Sequence, residues 1–288
     1  MGRRSARAGT IWVVSTAPAD PAAAPAPAAT TVPVSPPAPA GRAAGRADIG
    51  ARTLARLAEA RRLNQWIYGL LRAGVAGDVL EVGSGLGSIS RLILDDLGDG
   101  DRLALADVDG DYLEAIAASL GREGGAPDRL ALVRWDLERS PPPELAERRF
   151  DAIVAVNVLE HVTDDRAAVA TLGTLLRPGG RLMVYVPACP FAFGPLDRGL
   201  EHRRRYTRRT LTAILGAGGL SVTPPVYVNR LGLLGWLGVG RLGRRRAIPA
   251  GLIDAFERCV PLARALDAAL GFVPAGLGLV ARATKPNG

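Results

Sequence analysis

Glu81, Asp107, Asp136 and Asn157 each stand at or near the end of a short apolar run, and three alternating glycines, Gly83, Gly85 and Gly87, follow the first of them. The stretch Val79-Leu80-Glu81-Val82-Gly83-Ser84-Gly85-Leu86-Gly87 reads as a buried strand and a tight turn. A helix then begins, with its face continuing in Ile89, Leu92, Ile93 and Leu97. Such a turn lets a ligand lie against bare backbone at a helix N-terminus, where N–H groups point outward. A carboxylate in the mouth of that turn repels a pyrophosphate and suits a ligand carrying an ammonium group. Glu81 therefore favours a nucleoside with a cationic amino-acid tail, such as S-adenosylmethionine, over a dinucleotide.

The other strand ends offer further polar groups. Asp107 closes Leu103-Ala-Leu-Ala-Asp107, about 20 residues after the glycines, where a carboxylate can accept both hydroxyls of a ribose. It either does so or caps the helix that follows. Asp109 and Asp111 suit the cap and the first turn of that helix. In Trp135-Asp136-Leu137, Asp136 either accepts from an adenine amine or is a loop acid. Three spaced glycines alone do not separate NAD and FAD binders from methyltransferases.

A weak nucleophile such as an alcohol must lose its proton, and a positioned base speeds this by roughly 10²- to 10⁴-fold. The chain has two histidines. His161 follows Asn157-Val-Leu-Glu160. His202 lies between Glu201 and Arg203-Arg204-Arg205. Either is a candidate base, and His161 could equally do no more than shape a pocket. Arg198, Arg203, Arg204, Arg205, Arg208 and Arg209 form the densest basic stretch. They either hold a phosphate, carboxylate or sugar-acid group, or form a solvated helix start. Leu231–Trp236 is either an apolar wall for a lipid-like acceptor or core. Cys189 and Cys259 have no metal-ligand spacing, and no metal is expected.

These residues need a frame to hold them. The 288 residues carry a net charge of +8, with Lys285 the only lysine. An arginine-writing, GC-rich genome is expected to account for most of that charge, and an acidic substrate or an anionic surface near the clustered arginines for the rest. The aromatic interleaving of a single-stranded nucleic-acid groove is missing, so no nucleic-acid partner is expected. No apolar run is long enough to span a bilayer, and a cytoplasmic protein is expected. Residues 1–48 are Ala/Pro-rich and are expected to be a disordered tail. From 49 to 72 leucines recur at helical spacing. Apolar strands at 78–82, 102–107, 130–135, 151–156, 180–187, 221–228 and 276–283 then alternate with helices at 87–97, 110–120, 143–147, 163–176, 207–217 and 252–270. That alternation predicts a Rossmann-like, doubly wound α/β fold. Its seven-stranded sheet is mostly parallel, with helices on both faces and the last strand antiparallel. Residues 49–288 form the domain, with substrate-side insertions at about 188–210 and a long, irregular one at 229–275.

Taken together, residues 64–187 resemble a class I S-adenosylmethionine-dependent methyltransferase. Glu81-Val-Gly-Ser-Gly-Leu-Gly87 resembles its first motif, Asp107 its ribose acid and Asp136 its acid near adenine. Asn157-Val-Leu-Glu-His161 resembles the segment after the fourth strand, and Arg177-Pro-Gly-Gly180 the turn before the fifth. The resemblance implies cofactor contacts from Tyr68, Glu81, Gly83, Gly85, Gly87, Asp107, Val108, Asp136, Leu137 and Asn157. Asn64-Gln-Trp-Ile-Tyr68, Asp197-Arg and His202-Arg-Arg-Arg-Tyr206 are similar to a bacterial methyltransferase group often found with polyprenyl-phosphate-type glycosyltransferases. This chain has Glu201 where that group has glycine.

The expected function is methyl transfer from S-adenosylmethionine to a small-molecule hydroxyl on a sugar, glycolipid or natural-product intermediate, anionic or lipid-linked, with His161 or His202 as base. Two alternatives stay open. One is an NAD-dependent oxidoreductase or epimerase, which has no use for Glu81. The other is a non-catalytic, methyltransferase-like partner protein.

Overall fold

The computed structural model describes residues 13–14, 47–122 and 129–287. Eight strands form one sheet: β1 (Val13–Val14), β2 (Asp78–Val82), β3 (Arg102–Asp107), β4 (Leu130–Arg134), β5 (Phe150–Val156), β6 (Leu176–Pro187), β7 (Ser221–Val228) and β8 (Gly278–Thr284). Their order is β1-β4-β3-β2-β5-β6-β8-β7. All pairs from β1 to β6 are parallel, and β8 runs antiparallel to both β6 and β7. The seven expected strands are thus present in the expected arrangement. Val13–Val14 adds a two-residue edge within the segment expected to be a disordered tail; apart from it and the start of the first helix, that segment lies outside the described residues.

Side-chain alternation along the strands feeds two cores, one on each face. Leu80, Val82 and Ile153 pack with α6 (Asp165–Leu175) and α8 (Arg208–Ala217) through Val169, Leu172, Leu211 and Leu215. Val79, Leu103, Leu105 and Val154 pack with α2 (Arg61–Leu71), α3 (Ser88–Asp96) and α4 (Gly110–Arg122) through Ile67, Leu71, Ile93 and Ile116. Glu81 alternates with Leu80 and so belongs to the second face.

Three features differ from expectation. The helix expected over 49–72 is broken at Ala60 into α1 (Ala47–Glu59) and α2. Ala60 has no side chain to cap α2. Glu257 caps it from α10 (Ala250–Ala269), accepting from the N–H groups of Leu63 at 3.2 Å and of Arg62. Asn64 Nδ2 donates back to the Leu57 carbonyl at 2.8 Å, closing the end of α1. Second, β6 begins at Leu176, so Arg177-Pro-Gly-Gly180 lies inside the strand rather than ahead of it. Third, 229–275 is largely helical. Between α9 (Arg230–Trp236) and α10 lies a π-helical turn, Leu237–Leu242. The 188–210 segment contains α7 (Pro195–Gly199), and α5 (Pro143–Ala146) completes the set.

Tyr206 fastens the 188–210 segment to the sheet. Its ring is fully buried, its N–H donates to the Pro187 carbonyl at 2.9 Å, and its hydroxyl lies 2.9 Å from both the Leu159 carbonyl and Asp165 Oδ2. Tyr206→Phe leaves those acceptors short of a buried donor. We expect a loss of about 1–3 kcal/mol in unfolding free energy, measured by urea denaturation.

Candidate functional site

The strand order runs one way through β2, β3 and β4 and the other way through β5 and β6, and a cleft of about 1800 Å³ opens at the carboxyl ends where it reverses. Glu81, the glycine turn, Asp107, Val108, Asp136, Leu137 and Asn157 line one side. Leu54 and Leu57 of α1, Asn64 and Ile67 of α2, and Ile253 and Phe256 of α10 line the other.

Gly83, Gly85 and Gly87 all have left-handed φ, at 72°, 53° and 78°. A Cβ on Gly83 would stand 2.5 Å from Val158 Cγ2, and one on Gly87 2.9 Å from Ile116 Cγ1. Conformation and space together call for glycine. Asp107 clamps the turn, accepting from Gly85 N–H at 2.8 Å and from Asp109 N–H at 3.0 Å. Burial pushes its pKa above the usual carboxylate range, although these N–H groups favour the anion. Asp109 in turn accepts from Asp111 N–H at 3.0 Å at the start of α4.

Glu81 is buried, and its Oε2 has no hydrogen-bond partner. Burial pushes its carboxyl up to about 8, and the Asp107 charge adds to the shift. The nearby Ser90 hydroxyl favours the anion but is outside hydrogen-bond geometry. An orphaned carboxylate on the floor of an open cleft lacks a cationic partner. Asp136 is half-buried, accepts from Glu138 N–H at 3.0 Å and lies 3.5 Å from Arg139 Nε. Leu137 is buried and Val108 exposed beside it. Asn157 holds φ at 53° and is exposed, its N–H donating to the Tyr185 carbonyl at 2.8 Å. Tyr68 packs in the apolar layer with α2 and α3 and is not among the residues lining the cleft, whereas Asn64 and Ile67 of the same helix are.

Residues 80–182 match the family model of a methyltransferase domain. That match covers less than half of the chain and agrees with the glycine turn and the strand-end acids. Over those residues the chain carries a methyltransferase domain of the S-adenosylmethionine-dependent kind. Its sequence is similar to the ubiquinone/menaquinone biosynthesis C-methyltransferase UbiE of Shewanella sp. (strain W3-18-1), 30% identical over 106 residues, covering 37% of this chain and 41% of that protein. The chain spans less than half the length of the curated relatives it matches. Among solved structures it shares its fold with Haemonchus contortus phosphoethanolamine N-methyltransferase 2 in complex with S-adenosyl-L-methionine, at 13% identity and TM-score 0.52 over 78% of this chain and 52% of that one. It also shares it with the [4+2]-cyclase SpnF, at 18% identity and TM-score 0.53 over 79% and 81%.

At the far side of the methyltransferase cleft the two histidines meet. His161 and His202 pack edge to face with ring centroids 5.0 Å apart. His161 is exposed to the cleft, yet its ring is crowded by protein on the other side. Desolvation, then the neighbouring His202 and Arg203, push it down to about 4, so it is neutral at pH 7. His202 Nδ1 lies 3.0 Å from Asp197 Oδ1, which also accepts from Arg205 Nε at 2.7 Å. Asp197 Oδ2 accepts from Gly194 N–H at 2.9 Å. Burial works to raise Asp197, but His202 and Arg205 overcome it and hold the carboxyl below its usual range. Glu160, next in chain to His161, is fully buried; sequence reasoning assigned no role to it or to Asp197. The Asp197-His202 spacing was the available signal, but five residues across a turn do not by themselves announce a contact.

The arginine-rich stretch separates by role. Arg203 and Arg204 donate to the carbonyls of His161 and Thr163, both at 2.8 Å, and Arg205 is buried with its guanidinium 4.4 Å over the Trp236 ring. Arg208 lies over Tyr227. Of these four, Arg203 and Arg205 line the cleft. Arg198 and Arg246 line the cleft and, with Arg241 and Arg244, an adjoining pocket of about 400 Å³. Trp236 lines the cleft and also packs against the main core.

Glu81 sets a pH dependence. In the unfolded chain it ionises near 4.5, and in the folded protein near 8. Stability is therefore lost as pH rises through that window. A cationic ligand binds the ionised form and must expel a proton below pH 8. Affinity for S-adenosylhomocysteine should rise from pH 6 to pH 8 in isothermal titration, and Glu81→Gln should bind more weakly and lose most of that slope.

Proposed function

We propose that the chain transfers a methyl group from S-adenosylmethionine to a hydroxyl of an anionic small molecule, such as a sugar, a glycolipid or a natural-product intermediate. The observation that carries the reading is the unpaired, buried Glu81 carboxylate beside a glycine turn, in the same cleft as a neutral His161. When bound, S-adenosylmethionine supplies a methyl group already activated by its sulfonium charge. Glu81 then pairs with the ammonium group, Asp107 with the ribose hydroxyls and Asp136 with the adenine amine. Val108 and Leu137 cover the base, and Gly83, Gly85, Gly87 and Asn157 shape the backbone against which it lies.

The remaining tasks are to align the acceptor, take its proton and exclude water. His161 lines the cleft as a neutral imidazole, with Arg203 Nε donating to its backbone carbonyl at 2.8 Å and the Glu201 backbone beside its ring. Segments 188–210 and 229–275 form the substrate side, contributing Arg198, His202, Trp236 and Arg246 to the cleft. The arginine pocket suits a phosphate or carboxylate on the acceptor. Leu234 and Leu242, both exposed, stand in the same segment as Arg241 and would accept a lipid tail beside that anionic group. No helix among the described residues is long and apolar enough to cross a membrane, and a cytoplasmic setting agrees with the low cysteine content.

An oxidoreductase reading finds no support from Lys285. Its ammonium donates to the carbonyls of Gly173 and Leu176, both at 2.9 Å, and so closes the end of α6.

The test is transfer of radiolabelled methyl from S-adenosylmethionine to phosphorylated and neutral sugar acceptors. His161→Ala should lower kcat by about 10²- to 10⁴-fold while affinity for S-adenosylhomocysteine stays within a few-fold. Arg198→Ala and Arg246→Ala should raise KM for the phosphorylated acceptor and leave kcat near wild type. Transfer to neither acceptor class, with cofactor bound, rejects the reading.

A further inference from the structure

We propose that Glu160, His161 and His202 form a binding site for a divalent first-row transition-metal ion at the acceptor end of the cleft. One ligand atom from each lies within 4.8 Å of the others, and His202 Nε2 is 4.0 Å from Glu160 Oε1. Two imidazoles and one carboxylate suit zinc, iron, cobalt or manganese. Bonds of ~2.1 Å place ligand atoms ~3–3.5 Å apart, so movements of about an ångström close the set.

Two independent observations point to a cation. Glu160 is fully buried, and neither of its carboxylate oxygens has a hydrogen-bond partner. A buried carboxylate is ordinarily paired or bound to metal. Arg205 is the nearby cation; its Nε pairs with Asp197 at 2.7 Å and its Nη2 lacks a hydrogen-bond partner, yet it makes no hydrogen bond to Glu160. The second observation concerns His202. Asp197 holds its Nδ1 at 3.0 Å and is itself held by Arg205 and the Gly194 N–H. That contact selects the tautomer with the proton on Nδ1 and leaves the Nε2 lone pair directed to the side of Glu160. A carboxylate behind a ligating histidine is the common outer-shell arrangement of metal sites.

Three protein ligands leave coordination positions open, and the exposure of His161 places them on the cleft. The open positions would take an acceptor oxygen and make its proton easier to lose. This rests on the acceptor reading given above and changes one step of it: a His161 ring nitrogen bound to metal cannot also take the acceptor's proton, so the metal replaces the free base and the proton leaves to solvent in the cleft. Metal binding, however, is measured without acceptor or cofactor, so the two stand or fall separately.

The whole chain contains only His161 and His202 as histidines, so imidazole signals in tag-free protein report this site alone. Full-length protein without a histidine tag is titrated with Co²⁺, with Zn²⁺ as competitor. We expect one Co²⁺ per chain with a visible ligand-field absorption, displaced by Zn²⁺, and both histidine resonances shifting together on Zn²⁺ addition. His161→Ala, which removes an exposed ring, and Glu160→Gln should each weaken Co²⁺ binding by about tenfold or more. Absence of stoichiometric binding at millimolar Co²⁺ overturns the proposal. So does unchanged affinity in either variant once circular dichroism shows it folded.

Discussion

Between β2 and β5 the order of the sheet reverses, and the crossover connections leave that point in opposite directions. The crossover helices therefore leave the carboxyl ends of the strands there uncovered. Backbone N–H groups of the glycine turn, the carboxyl of Glu81 and the oxygens of Asp107 all face the gap, and its depth keeps them from bulk water. Everything that distinguishes the cleft follows from this. Glu81 Oε2 has no hydrogen-bond partner, and the groups around the carboxyl are strand backbone, the Ser90 hydroxyl and another acid, Asp107. Asp107 is oriented by the turn it clamps. A rigid parallel sheet, buried on both faces, can hold such an unfavourable arrangement where a loop could not.

The acceptor side rests on a different device. One buried carboxylate, Asp197, gathers His202, Arg205 and the Gly194 N–H. Arg205 then reaches the Ala188 carbonyl at 2.9 Å and stacks on Trp236, and Tyr206 anchors the same segment beneath Leu159. This wall of the cleft is therefore a polar network fastened to β6 at one end and to the β5 turn at the other. Such networks are costly when incomplete and specific when satisfied. Here Glu160 is the member left without a hydrogen bond.

Helix α10 shows how a remote element can set local structure. The leucine pattern over 49–72 is continuous, and Ala60 carries no break signal of its own. The division into α1 and α2 depends on Glu257, almost two hundred positions away, taking up the N–H groups that a new helix start exposes. The bend lets α1 lie over the glycine turn, with Leu54 methyls 3.6 Å from where a Gly85 Cβ would be. In the same way the arginine-rich stretch, uniform in sequence, divides into buried, stacked and cleft-facing members according to contacts with the Thr163 carbonyl, Trp236 and Tyr227.

The sheet, its order of elements and the cofactor end of the cleft were legible in the chain alone. A buried parallel strand announces itself by an unbroken apolar run, and a left-handed turn by its glycines. Both are local rules. Glu81, Asp107, Asp136 and Asn157 take their places because each follows directly on such a run. The Asp197-His202-Glu160-His161 cluster, the packing of Tyr68 in the apolar layer and the adjoining arginine pocket were not legible. They are settled by contacts between segments forty residues apart or by which side of a helix meets the sheet, and chain spacing carries no information about either until the layers pack.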